Sequence, residues 1–408
     1  SAAAPAPASP RPSVAKSPAW PDLGASEGRA AEYLEHPSGK PFSWIRFDNS
    51  EPARSARRAI QEQTLAAVTA GGWVRNGLRV SLSSVQQSLQ ETRVVAASRG
   101  TLPRMGRPRF STVVSGARTT ALDAALSLEE RWPGRVGVVS AASAYHCGGG
   151  FATGGRHALE EALCVQTSLY PSINSIRETI SSEEPYIPRD GVIVSPAVEV
   201  FRGGSDAGYP FLEAVQTLRA VISVAMFNRN PSVGDAPLDA PADQAEYERA
   251  VKAKFRALLA AATSAGCSVL VVPDVGCGVY QNDPGTVGQF LGEILWEEFW
   301  GQFAEVVTLG KSAFQKAAKD AAAPPRRRST SAAPAPPSPA PAPRPAAAAP
   351  PSPTPAPPEA RQPVTMHIQI PPGVFPGQMI QVQTPAGTLL NVMVPPGAQP
   401  GSTIAIQV

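Results

Sequence analysis

The chain has 408 residues, of which 45 are proline, and 36 Lys and Arg against 33 Asp and Glu give a formal charge of +3. Proline at about twice its usual ~5% share marks extended segments outside a folded core. So small a charge predicts no direct nucleic-acid partner, and no apolar run nears the ~18 residues of a membrane span, so no membrane role is expected either. Four cysteines, Cys147, Cys164, Cys267 and Cys277, form no CxxC pair, and four scattered histidines complete no ligand set. This predicts no metal, no cofactor and a reducing compartment, cytoplasmic or nuclear.

Residues 1–40 form an Ala/Pro-rich tail and 319–363 an Ala/Pro-rich linker, both too poor in apolar bulk to offset the entropy of ordering. The chain begins at Ser1 and not at Met, which leaves room for a processed or partial chain with an upstream targeting peptide. Arg326, Arg327 and Arg328, followed by Ser329, Thr330 and Ser331, read as a solvated linker charge run, with a nuclear-import or phosphorylation site as the alternative.

Residues 41–318 alternate helix and strand, the pattern of an α/β fold. Thr120 to Arg131 carries Leu122, Ala125 and Leu126 on one helical face and is stopped by Trp132, Pro133 and Gly134. Val136 to Ala142 follows as a strand apolar enough for burial on both faces. Ala220 to Ala225 supplies another central strand. The helical spacing of Val251, Phe255, Leu258, Leu259 and Ala262 ends at Gly266, and Ser268 to Pro273 is again a buried strand. A helix through Val287, Phe290, Leu291, Ile294 and Leu295 and a strand at Val306, Val307 and Leu309 complete the series.

The last segment, 364–408, differs in kind. Ile368 to Gln383 is echoed by Val392 to Gln407, a repeat in which short alternating strands flank a PPGxxPG turn. Four short strands, a small sheet and an interaction or self-association role are expected, with a passive cap as the plain alternative.

Chemistry concentrates between Val138 and Tyr170. A strand enters Gly148, Gly149 and Gly150, and Glu160 and Glu161 follow. Glycines let a backbone bring several N–H groups onto a phosphate, and a carboxylate just beyond acts on a bond near it. A plain strand-to-helix turn, with glutamates complementing the helix dipole, explains the same residues.

The wider segment AASAYHCGGGFATGGRHALEEALCVQTSLY resembles the signature of the microbial-type poly(ADP-ribose) glycohydrolases, a branch of the macrodomain superfamily. A second block, Gly276, Cys277, Gly278, Val279, Tyr280, Gln281, Asn282, Asp283 and Pro284, is similar to that family's GCGxFxNDP loop. ARRAIQEQTLAAVTAGGW is similar to its N-terminal helix and VIVSPAVEVFRG to its SPxVxxFR strand, so the likeness spans about residues 50 to 315. It implies a macrodomain-like three-layer α/β/α sandwich with a mixed sheet. It also implies cleavage of ribose–ribose O-glycosidic bonds in poly(ADP-ribose), with the polymer or ADP-ribosylated proteins as partners.

Residue by residue, the resemblance makes Glu161 the general acid and then the base for water, while Glu160 holds ribose hydroxyls. Ser140, Gly148, Gly149, Gly150, Phe151, Gly276, Cys277, Gly278 and Val279 would line the ligand, the glycines gripping the diphosphate through N–H groups. Tyr280 stands where the family's loop phenylalanine packs on the ribose. Asn228 matches an asparagine at the end of the family's SPAPN strand, and Asn282 and Asp283 are expected to fix their own loop.

Three departures bear on the activity: Ser140 replaces the asparagine that orients the ribose, Leu159 replaces a glutamine and Cys147 a proline. A catalytically weak ADP-ribose reader, or a scaffold recruiting partners through 364–408, is the alternative to an enzyme. Cys147 and Cys277 sit where exposed N–H groups favour thiolate, which predicts sensitivity to peroxide, against the usual inertness of buried cysteine.

Overall fold

The computed structural model describes residues 46, 48–75, 77–104, 106–234 and 236–323, and four strands within 365–369, 379–383, 389–393 and 402–407; the N-terminal tail, the linker beyond 323 and the PPGxxPG turns lie outside the described residues. The chain falls into two units, each taken by itself.

The first unit begins with α1 (Glu51–Ala70), closed by Gly71 at φ 73°, and the hairpin β1 (Gly72–Arg75) and β2 (Leu78–Ser81). Then come α2 (Val85–Glu91), β3 (Arg93–Ala96), β4 (Val113–Gly116), α3 (Ala121–Arg131), β5 (Val136–Ala141), α4 (Leu159–Gln166), α5 (Leu169–Arg177), β6 (Gly191–Arg202) and β7 (Phe211–Val224). The series ends with α6 (Gln244–Ser264), β8 (Val269–Val272), α7 (Pro284–Glu297), β9 (Glu305–Thr308) and α8 (Ser312–Ala321).

Seven strands form one mixed sheet in the order β3-β6-β7-β5-β8-β9-β4. The β3–β6 and β6–β7 pairs are antiparallel, and β7, β5, β8, β9 and β4 run parallel to one another. Side chains alternate through the pleat, so Val139, Ile222 and Leu270 pack with α6, α7 and α8 on one face. Val136, Val138, Val221 and Val271 pack with α3, α4 and α5 on the other. Two apolar cores back to back are why the central strands read as unbroken apolar runs. This is the three-layer α/β/α sandwich that the sequence implies.

Helix α8 is an addition, and it runs past residue 318, where the sequence places the end of the catalytic domain. Gly288 and Gly292 of α7 make it possible: a Cβ at either would strike the carbonyl oxygens of Phe314 and Ala318, so the two helices touch backbone to backbone.

The second unit holds β10 (Thr365–Gln369), β11 (Met379–Gln383), β12 (Leu389–Met393) and β13 (Thr403–Gln407). The expected single small sheet is instead two antiparallel pairs, β10 with β13 and β11 with β12. Ile368 faces Ile404 and Ile380 faces Val392, so each pair joins one strand from each repeat. Neither repeat pairs its own two strands.

Candidate active site

The five parallel strands end on one side of the sheet, and a cavity of about 1000 Å³ opens there, where open α/β sheets bind ligands. Each strand delivers part of its wall: β4 leads to Arg118, Thr119 and Thr120, β5 to Ala142 and Ser143, β7 to Met226, β8 to Asp274, Val275, Gly276, Gly278, Val279 and Tyr280, and β9 to Leu309 and Gly310. Glu160 and Glu161, in the first turn of α4, complete it.

The triple glycine holds these two carboxylates. Gly148 and Gly149 take left-handed angles, φ 70° and 56°, which L residues with a Cβ seldom adopt. Glu160 accepts from Ser143 N (2.8 Å) and Gly148 N (3.0 Å), and Glu161 accepts from Gly150 N (2.8 Å) and its own N-cap Ala158 N (3.0 Å). Gly149 N donates to His146 O at 2.9 Å. All three N–H groups are engaged within the protein, so the loop that reads as a diphosphate cradle is here a carboxylate cradle. A Cβ on Gly149 would fall on Glu161 Oε1 and lie 3.5 Å from Glu160 Oε2, so both carboxylates converge on the space left by the missing side chain.

Burial dominates the electrostatics. It pushes the Glu160 carboxyl up to about 8, helped by the charge of Glu161 and opposed by the Ser143 and Gly148 N–H groups and the Tyr186 hydroxyl, 3.4 Å away. Behind Glu161, His157 is fully buried with Nδ1 3.1 Å from the Tyr209 hydroxyl. Burial, with Arg57 and Arg46 adding, pulls this imidazole down to about 3, so it stays neutral. Tyr209 and Arg46 line the cavity on the Glu161 side.

The Gly276 to Tyr280 loop is the opposite case. Asn282 staples it: Nδ2 donates to Phe227 O and Gly276 O, both at 2.9 Å, and Oδ1 accepts from Tyr247 at 2.6 Å. Lys311 adds a bond from Nζ to Cys277 O, and Asp283 caps α7 through Thr286 N. The N–H groups of Gly276, Gly278 and Val279 have no intramolecular acceptor among the described residues, and Gly276, Gly278, Val279 and Tyr280 all line the cavity. This loop is the one with donors to offer an anion.

The structure brings Glu160, Glu161, Gly149, Gly150, Gly276, Gly278, Val279 and Tyr280 together on the wall and sets five other candidates off it. Ser140 is buried within β5, its hydroxyl without a partner. Gly148 lies beneath Glu160, packed on Tyr170, and Phe151 is fully buried with its ring 4.8 Å from that of Tyr170. Cys277 turns its thiol to Val275 O, and Asn228 bonds to Ala236 O and Asn230 N to shape its own turn. The thiolate expectation is also corrected: burial pushes Cys147 and Cys277 up to about 12. Sequence reasoning missed Arg46, Arg118, Tyr209 and Asp274, which belong to no motif. Only the glycines at 204 and 208, flanking the turn that sets Tyr209 at φ 54°, hint at one of them.

Residues 61–203 match the family model for the catalytic domain of microbial-type PARG. Among solved structures, poly(ADP-ribose) glycohydrolase from Thermomonospora curvata is 29% identical with a TM-score of 0.55, over 65% of this chain and 98% of that one. A point mutant of the same protein is 30% identical with a TM-score of 0.54, and its complex with the inhibitor ADP-HPD is 29% identical with 0.53, each over 65% of this chain and 98% of that one. No curated protein matches. With both glycine blocks and both glutamates converging on one cavity, the chain belongs to the microbial-type poly(ADP-ribose) glycohydrolase family.

Proposed function

We propose that this protein hydrolyses the ribose–ribose O-glycosidic bonds of poly(ADP-ribose), with Glu161 as general acid and base and Glu160 holding ribose hydroxyls. The observation that carries the reading is the pair of buried carboxylates meeting beside Gly149, next to a second loop with unengaged N–H groups. The diphosphate is placed on Gly276, Gly278 and Val279, and the Tyr280 ring covers the ribose and keeps water from the wrong face.

Burial holds a proton on Glu160 up to about pH 8, so at neutral pH a proton is present beside Glu161 without help from substrate. Glu161 receives this proton from Glu160 and donates it to the leaving ribose oxygen as the C–O bond breaks. It then takes a proton from water as the water oxygen bonds to the anomeric carbon, and the carboxyl is restored. The inhibitor complex of the Thermomonospora protein supports this reading by likeness.

Titration of the full chain with ADP-ribose, followed by digestion of labelled polymer, is the test. Binding with release of ADP-ribose is expected; binding with polymer left intact would make the protein a reader. For residues 364–408 we propose attachment of a protein partner, with no part in the hydrolysis.

A further inference from the structure

The lip of the cavity beyond Glu161 is basic. Glu160 is tied through Ser143 to the carboxyl end of the central strand β5, whereas Glu161 turns back to Ala158, on the side lined by Arg46 and Tyr209. The loop joining the triple glycine to α4 forms this lip, with Thr153 and Ala158 on the cavity wall. Between them, Gly154 packs against the Arg54 carbonyl and the Arg58 stem, and the exposed Arg156 bonds through Nε to Asn49 Oδ1 at 2.9 Å. Arg46, Arg54, Arg58 and Arg156 thus gather at one edge.

The buried Arg57 behind them registers the crowding: after burial, the charges of Arg54 and Arg156 help pull its pKa down, against Asp48. Glu51 pairs with Arg58, but Arg54 and Arg156 make no ion pair among the described residues. Two exposed guanidiniums without an ion pair, one on the loop that ends in Glu161's own N-cap and one on the helix packed against that loop, suit an anion with several oxygens.

We infer that this lip carries the substrate chain beyond the scissile bond, with the diphosphate of the next ADP-ribose unit lying across Arg54 and Arg156. The inference rests on the proposed hydrolysis and adds a direction to it. A general acid must face the oxygen that leaves, so the departing chain lies on the Glu161 side, and that chain bears a diphosphate in every unit. A nucleic acid would share the charge, but only the polymer is continuous with the ADP-ribose unit proposed for the cavity.

The test is the double variant Arg54→Gln/Arg156→Gln of the full chain, assayed on long-chain poly(ADP-ribose) and on an ADP-ribose glycoside of a neutral alcohol, which lacks the second diphosphate. At low salt, KM for the polymer should rise about five- to tenfold with kcat within about twofold, and the salt dependence of KM should flatten. Values for the neutral glycoside should not change. Equal effects on both substrates, no effect on the polymer, or single-stranded DNA competing with the polymer as well as unlabelled polymer does, would overturn the inference. If the wild type hydrolyses neither substrate, the hydrolysis reading fails by itself, and binding of the same two ligands still decides the lip: affinity lost for polymer alone supports it, and equal or no loss refutes it.

Discussion

Two glycine loops reach the same cavity with the same backbone freedom and use it in opposite ways. The loop at Gly148, Gly149 and Gly150 turns its N–H groups inward onto Glu160, His146 and Glu161. The loop at Gly276 and Gly278 is anchored by Asn282 and Lys311 through its carbonyls, and the N–H groups of Gly276, Gly278 and Val279 have no acceptor among the described residues. A glycine run therefore marks a place where backbone donors gather. Whether they serve the protein's own carboxylates or a ligand's phosphates depends on what else the fold brings there.

Substitution at Gly149 should separate the two loops most sharply. Valine there meets the Glu161 carboxylate and must hold a left-handed φ, at a cost of about 1–2 kcal/mol. Polymer hydrolysis should fall at least about a thousandfold in Gly149→Val, while ADP-ribose affinity measured by calorimetry changes less than about tenfold. Loss of binding equal to the loss of turnover would mean that this loop also grips the diphosphate. Gly278→Ala is the converse. A Cβ there meets nothing within 4 Å, so the thermal midpoint should stay put while ADP-ribose affinity drops about tenfold, ~1.4 kcal/mol. Unchanged affinity would remove the second loop from the diphosphate.

The first loop also has a pH signature. The folded protein keeps Glu160 protonated to about pH 8, whereas the unfolded chain releases that proton near 4.5. The folded state thus binds the extra proton between these values, and stability on this account is full below 4.5 and falls as pH rises toward 8. Glu160→Gln cannot lose that proton, so its melting temperature relative to wild type should climb across this window. A difference independent of pH would contradict the assignment. The smallest effect is expected from the C-terminal unit. Removing residues 324–408 should leave hydrolysis of free polymer within about twofold. The cut belongs after Ala323 because Phe314, Ala318 and Ala322 are buried in the core; a large loss of turnover would draw the C-terminal repeats into the site.

Much of this was legible from the residues. β5 and β8 are buried on both faces, which is why Val136 to Ala141 and Val269 to Val272 stand out as apolar runs. Both glutamates and the Gly276 loop follow such strands and were found with them, and the 24-residue repeat marks four strands. Helix α8 was not legible, because its buried side chains include only Phe314 and Ala318 among alanines and charges, and its packing depends on glycines in another helix. Arg46 and Tyr209 come from turns without a motif. The fate of the Gly148 and Gly150 N–H groups was hidden for a different reason. Their acceptors lie on the following helix, and composition says nothing about which way a peptide plane faces.

The central claim is that Glu161 does chemistry that the ligand's affinity does not need. Glu161→Gln keeps the volume and removes the proton donor, so a paired measurement of polymer turnover and ADP-ribose affinity on this one variant tests it most directly. Turnover should fall at least about a hundredfold with affinity within about threefold of wild type. Turnover that survives in Glu161→Gln and vanishes in Glu160→Gln would contradict the account and reverse the roles of the two carboxylates.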